Sequence, residues 1–200
     1  MIIALAKVKS YRRSFAKHGV SHKALQWVSK DAAERRYVEL VADIDFEGKS
    51  ILDVGCGFGD IIPFIEDICR KFEYTGIDIV PEFVEAARKK HPDHDLHLGD
   101  YLNNPVGEVF DIVISSGTLN SNVENAIEKR KTAIKLMYDH ASEVLVFNMA
   151  GSHPQPKSKE GGRVYYADSL EILDYCLGLT PKVIFRHHYH PKDFTIIMFK

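Results

Sequence analysis

The stretch Ile51-Leu52-Asp53-Val54-Gly55-Cys56-Gly57-Phe58-Gly59 joins an apolar run to a turn with glycine at every second position. Ile51, Leu52 and Val54 have the character of a central parallel strand covered on both faces. Gly55, Gly57 and Gly59 remove alternate Cβ atoms, so the main chain can take positive φ and a ligand can approach it closely. Beyond the turn, Ile61, Ile62, Phe64, Ile65, Ile68, Cys69 and Phe72 recur at helical spacing, with Pro63 in the first turn, where its missing N–H costs little. Strand, glycine turn and helix in that order predict the first unit of a doubly wound nucleotide-binding sheet.

The glycine spacing is G-x-G-x-G, not the G-x-G-x-x-G of dinucleotide sites. Asp60 stands where that fingerprint places its third glycine, which is needed for close helix–strand packing beside a pyrophosphate. A carboxylate at a helix entrance also repels a pyrophosphate. Asp53, two residues before the first glycine, adds a second negative charge, so the site suits a cofactor with an amino group and a sulfonium. With these residues the chain resembles the class I S-adenosylmethionine-dependent methyltransferases, whose first motif is an acidic residue followed by G-x-G-x-G.

Further motifs follow in order. Phe72 to Asp78 reads as a second strand ending in a carboxylate about 20 residues past the glycines, placed to accept hydrogen bonds from ribose hydroxyls. Pro81 opens a helix with Phe83, Val84, Ala86 and Ala87 inward. His94 to Leu98 is a third strand, followed by Gly99-Asp100-Tyr101. Phe110 to Ser115 is a fourth, followed by Ser116-Gly117-Thr118-Leu119-Asn120. The resemblance implies that Asp100 accepts from the adenine amino group and that Tyr101 packs on the ring. The cofactor-binding set it implies is Asp53, Gly55, Gly57, Gly59, Asp78, Ile79, Asp100, Tyr101 and Ser116. Taken singly, each has a plainer use: glycines for a tight turn, Asp78 as a helix cap, Asp100 as a turn residue.

Residues 1–48 precede the sheet and read as an N-terminal helical extension, with 49–200 as the core. Its first helix runs from Ile3 to about Lys17; Ser29 caps the second, which turns Ala33, Tyr37, Leu40, Val41 and Ile44 to one face. Methyltransferases of the resembled class often fold such an extension over the cofactor as a lid. Trp27 is then a lid residue or pocket wall, or else an anchor for the extension. Trp27, Ser29 and Arg36-Tyr37 also resemble the extension of a bacterial group of uncharacterised small-molecule methyltransferases. After the fourth strand, Ser121-x-x-Glu124 has the form of a capping box for a helix to about His140. Val144 to Phe147 is a fifth strand, and residues 150–164 a long polar loop. Asp168-x-x-Glu171 caps a helix through Leu177 ended by Gly178, and Lys182–Tyr189 pairs with Asp193–Phe199 across a short turn. The expected fold is α/β: a doubly wound, mostly parallel sheet of seven strands with the last antiparallel. The resemblance implies the order 3-2-1-4-5-7-6.

The chain has 200 residues, 45% hydrophobic and 27% charged, enough for one substantial core. No apolar run approaches the ~18 residues of a membrane span, and the apolar start is too short for a secretory signal. Three cysteines, Cys56, Cys69 and Cys176, show neither a disulfide framework nor a C-x-x-C zinc pattern, which predicts reduced thiols in a cytoplasmic protein. The net charge of −2 is uneven: residues 1–36 hold nine Lys/Arg against two acids, a local +7 over a body of −9. That basic segment either steers an anionic substrate or is a solvated face.

Methyl transfer from a sulfonium is an in-line displacement in which positioning contributes most, and a general base is needed only for a protonated acceptor. The fourth-strand segment Ser115-Ser116-Gly117-Thr118 lacks the Asp/Asn-Pro-Pro-Tyr/Phe motif of enzymes methylating adenine or glutamine amino groups, and the Pro-Cys of cytosine C5 enzymes. Without aromatic–basic interleaving, nucleic acid is disfavoured too. The expected activity is methylation of an oxygen or nitrogen of a small-molecule acceptor, giving S-adenosylhomocysteine, by a monomer or homodimer. Candidate catalytic residues are His187, His188 and Tyr166, with Tyr165, His153 and Asp193 behind them. Histidine suits a base because it titrates near neutrality. No metal is expected, because a strand would send neighbouring members of the Arg186–His190 run to opposite faces. The rivals are a non-catalytic S-adenosylmethionine-binding module and an NAD-dependent oxidoreductase.

Overall fold

Ser29 shows how local chemistry sets the first elements: its backbone is extended and its side-chain oxygen accepts from the Ala32 N–H at 3.1 Å, starting a helix at Lys30. The computed structural model describes residues 2–157 and 162–200, with side chains from residue 7 onward. Residues 158–161, part of the expected polar loop, lie outside the described residues. The chain forms two units, residues 1–107 and 108–200.

The first unit holds helices α1 (Ile2–His18) and α2 (Lys30–Val41), then β1 (Lys49–Val54), α3 (Ile62–Glu66), β2 (Phe72–Asp78), α4 (Pro81–Lys90) and β3 (Asp95–Leu98). Its strands run in the order β3-β2-β1, all parallel, with Asp53 beside Gly76 and Asp78 beside Leu98. Ile51, Leu52 and Val54 are buried, as expected of a doubly covered strand. The helix after the glycine turn is shorter than its spacing predicts: α3 has only five residues. Between Cys56 and Phe64 the chain closes successive i→i+3 bonds (Gly59 N to Cys56 O, Ile62 N to Gly59 O, Phe64 N to Ile61 O), a tighter winding than an α-helix. Ile61, Ile62 and Ile65 still reach the core, whereas Ile68 is exposed and Phe72 already belongs to β2.

The second unit holds β4 (Phe110–Ser116), a 3₁₀ turn (Thr118–Asn120), α5 (Ala126–Asp139), β5 (Ala141–Ser152), β6 (Ala167–Asp168), α6 (Ser169–Leu179), β7 (Val183–Arg186) and β8 (Asp193–Phe199). Here the order is β4-β5-β8-β7: β4 is parallel to β5, β8 is antiparallel to both neighbours, and β6 adds a short parallel pairing to β5. Each unit reproduces its half of the expected strand order, with the last two numbers raised by the unforeseen β6. The fold is the expected mostly parallel α/β sheet.

Four local expectations fail in this unit for non-local reasons. Ser121 does not cap a helix: it bridges Val164, and its carbonyl accepts from Arg130 Nη2 at 3.0 Å, so α5 starts only after Asn125, at φ 53°. β5 extends five residues past Phe147 because Met149 and Ala150 pair with Phe194 and Asp193, and Gly151 and Ser152 with Ala167 and Asp168. A Cβ on Gly151 would lie 2.4 Å from the Ala167 carbonyl oxygen, so only glycine admits that pairing. α6 carries Gly178 inside its last turn and is capped at Thr180. β7 ends at Arg186, which leaves His187–His190 in the turn before β8. Strand alternation therefore does not send those histidines to opposite faces.

Candidate active site

The glycine turn is held by its neighbours in the first unit. The N–H groups of Gly55 and Cys56 donate to Ile77 O at 2.8 and 3.1 Å, and that of Gly57 to Asp78 Oδ2 at 2.9 Å. The three glycines have φ of 80°, 57° and 69°, a region L residues rarely adopt. Asp78 Oδ1 accepts from Val80 N at 2.8 Å, so one carboxylate ties the turn, the end of β2 and the start of α4 together. The Asp78 carboxyl is pushed up by burial, against the pull of the Val80, Gly57 and Ile79 N–H groups and of Lys7. With three of its roughly four lone-pair sites taken, the carboxylate can accept one further hydroxyl donor.

Asp53 lies beneath the turn, buried. Its Oδ2 accepts the Tyr74 hydroxyl at 2.7 Å, and its Oδ1 is buried without a partner. Burial, reinforced by the charge of Asp78 and opposed by the Tyr74 bond, pushes this carboxyl up to about 7. Burial likewise raises Tyr74, Tyr37 and the Cys56 thiol, which keeps that cysteine protonated and unreactive. Asp60, at the helix entrance, is paired to Lys90 Nζ at 2.5 Å. Ile79 packs on a cluster of Ala24, Phe58, Val80 and Phe83. Asp100 accepts the Asn103 amide at 2.7 Å and Tyr101 is buried.

The extension reaches the turn. Leu25 Cδ2 would lie 3.0 Å from a Cβ on Gly57, and Tyr11 and Phe15 pack on Phe83 and Phe58 with ring centroids 5.5–6.1 Å apart. Arg12 is bonded to Glu82 at 2.6 Å. Trp27 lies under the Arg36 guanidinium, 4.7 Å from the ring centroid.

In the second unit, Asn148 is buried within β5 and braces the loop after β4: its Oδ1 accepts from Gly117 N at 2.8 Å, and its Nδ2 donates to Ser116 Oγ at 3.2 Å. Asn120 Oδ1 accepts from Ala150 N at 2.7 Å, and Asn120 O from Tyr165 N at 3.0 Å. Arg130 is buried, donates to Ala126 O and Ser121 O, and sits 4.6 Å from the Tyr165 ring centroid. The candidate catalytic residues have separate surroundings. His187 is half-buried between Ser152 Oγ and Asp193 O, His188 is exposed, and Tyr166 lies under Lys192 Nζ. His153 is bonded to Asp168, and the buried Asp193 to His190. Among the described residues no three His, Cys, Asp or Glu side chains group as a metal site.

Tyr74, Leu25, Ser152 and Arg130 escaped the sequence reading, since each gains its place through contacts distant in sequence. Asn148 carried a signal, as a lone amide in the apolar run Val144–Ala150 must find polar partners.

Residues 51–142 match the family model of a methyltransferase domain. A Mycobacterium tuberculosis protein named as a methyltransferase is 28% identical over 157 residues, covering 76% of this chain and 93% of that one. Two solved structures share the fold. One is the N-methyltransferase NodS of Bradyrhizobium japonicum with S-adenosylhomocysteine: TM-score 0.67, 16% identity, covering 96% of this chain and 97% of that one. The other is magnesium protoporphyrin IX methyltransferase of Synechocystis with S-adenosylhomocysteine: TM-score 0.64, 17% identity, covering 98% and 94%. With its acidic G-x-G-x-G turn, its strand order and the methyltransferase-domain match over residues 51–142, the chain is similar to the class I, S-adenosylmethionine-dependent methyltransferases and shares their fold.

Proposed function

We propose that the chain transfers a methyl group from S-adenosylmethionine to an oxygen or nitrogen of a small-molecule acceptor and releases S-adenosylhomocysteine. The observation that carries this reading is the acidic turn: three positive-φ glycines over Asp78, with a buried, orphaned Asp53 oxygen beneath. Such a site fits a cation bearing amino and hydroxyl groups and repels a pyrophosphate. In this reading Gly55, Gly57 and Gly59 allow close approach, and Asp53 supplies its partnerless Oδ1, with negative charge once it ionises above about pH 7. Asp78 holds the ribose, Ile79 and Tyr101 flank the adenine, and Asp100 accepts its amino group. Ser116 serves the reacting end. When bound, the cofactor supplies an electrophilic methyl group on sulfur; the chain's residues orient it and exclude water. Residues 1–48 serve as a lid, with Leu25 lying over Gly57, and their basic residues favour an anionic acceptor. The neighbours named for a porphyrin and for N-methylation support a small-molecule acceptor.

Calorimetric titration with S-adenosylmethionine, S-adenosylhomocysteine and NADH tests the reading. Micromolar binding of the first two and none of NADH is expected; binding of NADH alone would overturn it. Asp78→Ala is expected to weaken S-adenosylhomocysteine binding by about 1–3 kcal/mol through loss of charged hydrogen bonds. Unchanged affinity would remove Asp78 from the ribose role.

A further inference from the structure

Ser152 ends β5 and His187 directly follows β7. Both strands are antiparallel to β8, hence parallel to each other, so both residues leave the sheet at one edge. This is the carboxyl edge of β4 and β5, where ligands of α/β sheets bind. Ser152 Oγ lies 3.1 Å from His187 Nε2, and His187 Nδ1 lies 3.1 Å from the main-chain oxygen of Asp193.

These distances determine the protonation pattern. A carbonyl oxygen only accepts, so Nδ1 carries the ring proton. In the neutral ring Nε2 is then a bare lone pair, and the Ser152 hydroxyl donates to it. The Asp193 carbonyl is itself held, since Asp193 is buried, pairs with Ala150 in the sheet and is bonded to His190 Nδ1 at 2.7 Å. A base oriented by a third group and turned on a hydroxyl is the arrangement that activates oxygen nucleophiles. Ser152 and His187 are both half-buried, which leaves the pair open to a ligand.

We propose that Ser152 and His187 form a proton relay for the methyl acceptor and that the group methylated is a hydroxyl; this rests on the methyltransferase reading above. The acceptor hydroxyl donates its proton to Ser152 Oγ while the serine proton passes to His187 Nε2. The resulting imidazolium is steadied through Nδ1–H by the Asp193 carbonyl. The acceptor oxygen forms the new C–O bond as the methyl–sulfur bond breaks, its electron pair remaining on sulfur, and His187 afterwards yields the proton to water. A neutral amine attacks with its own lone pair and sheds its proton later, so it gains little from the relay. A hydroxyl needs its proton removed during attack.

The test begins with nitrogen NMR of histidine-labelled protein, the His187 ring being assigned by its loss in His187→Asn. The relay requires the Nδ1–H tautomer above the ring's titration and an Nε2 resonance that moves in Ser152→Ala. An Nε2–H tautomer, or no response to Ser152→Ala, would overturn it whatever the acceptor. Catechol and benzylamine then serve as probe acceptors, with S-adenosylhomocysteine affinity measured on the same samples. The expected result is catechol methylation reduced about 100-fold or more in His187→Asn, with cofactor affinity within threefold of the parent. Catechol methylation unchanged in His187→Asn, or benzylamine methylation falling as steeply as that of catechol, would overturn the hydroxyl assignment. If the parent protein binds no S-adenosylhomocysteine, the methyltransferase reading fails instead. With neither probe methylated, the tautomer alone decides.

Discussion

Gly57→Val is expected to abolish S-adenosylhomocysteine binding while leaving a folded protein. Gly57 has φ of +57°, where a β-branched residue is disfavoured by roughly 1–3 kcal/mol. Its Cβ would also lie 3.0 Å from Leu25 Cδ2 and 3.5 Å from Leu25 Cδ1, and valine adds two further methyl groups. The turn can relieve both only by moving. That movement draws the Gly57 N–H off Asp78 Oδ2, the 2.9 Å bond that places the carboxylate proposed to hold the ribose. Calorimetry should show affinity lost by about 100-fold or more, an estimate from combining the lost positioning with the strain. Circular dichroism should show an intact α/β spectrum, because β1 and β2 pair through register positions that end at Val54 and Ile77. Truncating Leu25 in the same variant removes the contact but not the backbone strain, so binding should recover only in part. A valine variant that binds like the parent would remove the turn from cofactor recognition.

Asp53→Asn should change how stability depends on pH. The Asp53 carboxyl is raised to about 7 in the folded chain against 3.8 unfolded, chiefly by burial. Below pH 4 both states are protonated and the group contributes no difference. Between pH 4 and 7 the unfolded chain ionises while the folded chain holds its proton, so stability falls as pH rises, and above 7 the loss is complete. A shift of that size corresponds to roughly 4 kcal/mol. Asparagine does not titrate and still offers an oxygen to the Tyr74 hydroxyl. The variant should therefore gain on the parent steadily from pH 4 to 8 when unfolding by urea is followed across that range. Tyr37 and Cys56, raised by burial, stay protonated across that range in both proteins, whereas Asp78 is coupled to Asp53 and its own ionisation shifts when the Asp53 charge is removed. A difference in stability that stays flat with pH would show that the Asp53 carboxyl titrates in the folded chain as it does in the unfolded one.

Much of the fold could be read where local rules operate. Ser29 and Asp168 cap helices as read, because a capping side chain bonds an N–H only two or three residues away. Pro81 opens α4 because its missing N–H belongs to a helix's unpaired first turn. Ser121 shows the opposite case: its spacing to Glu124 is that of a capping box, but its backbone pairs with Val164 and serves Arg130, so the helix begins later. Gly178 stands inside α6 rather than ending it, since the burial of Ile172 and Cys176 holds the helix.

The candidate site divides in the same way. Glycine spacing, the carboxylate of Asp78 and the acidic Asp53 and Asp60, on which the proposed cofactor site rests, were legible because their types and spacing are set at short range along the chain. What the sequence alone determined is the kind of cofactor and the half-sheets that present it. The tertiary structure decided which groups are paired. It set Tyr74 on Asp53 and Leu25 over Gly57. It braced Ser116 with Asn148 and gave His187 a serine 35 positions away. Those pairings depend on strand register and burial, and a hydrogen bond between residues far apart in the chain forms only after the sheet has placed them.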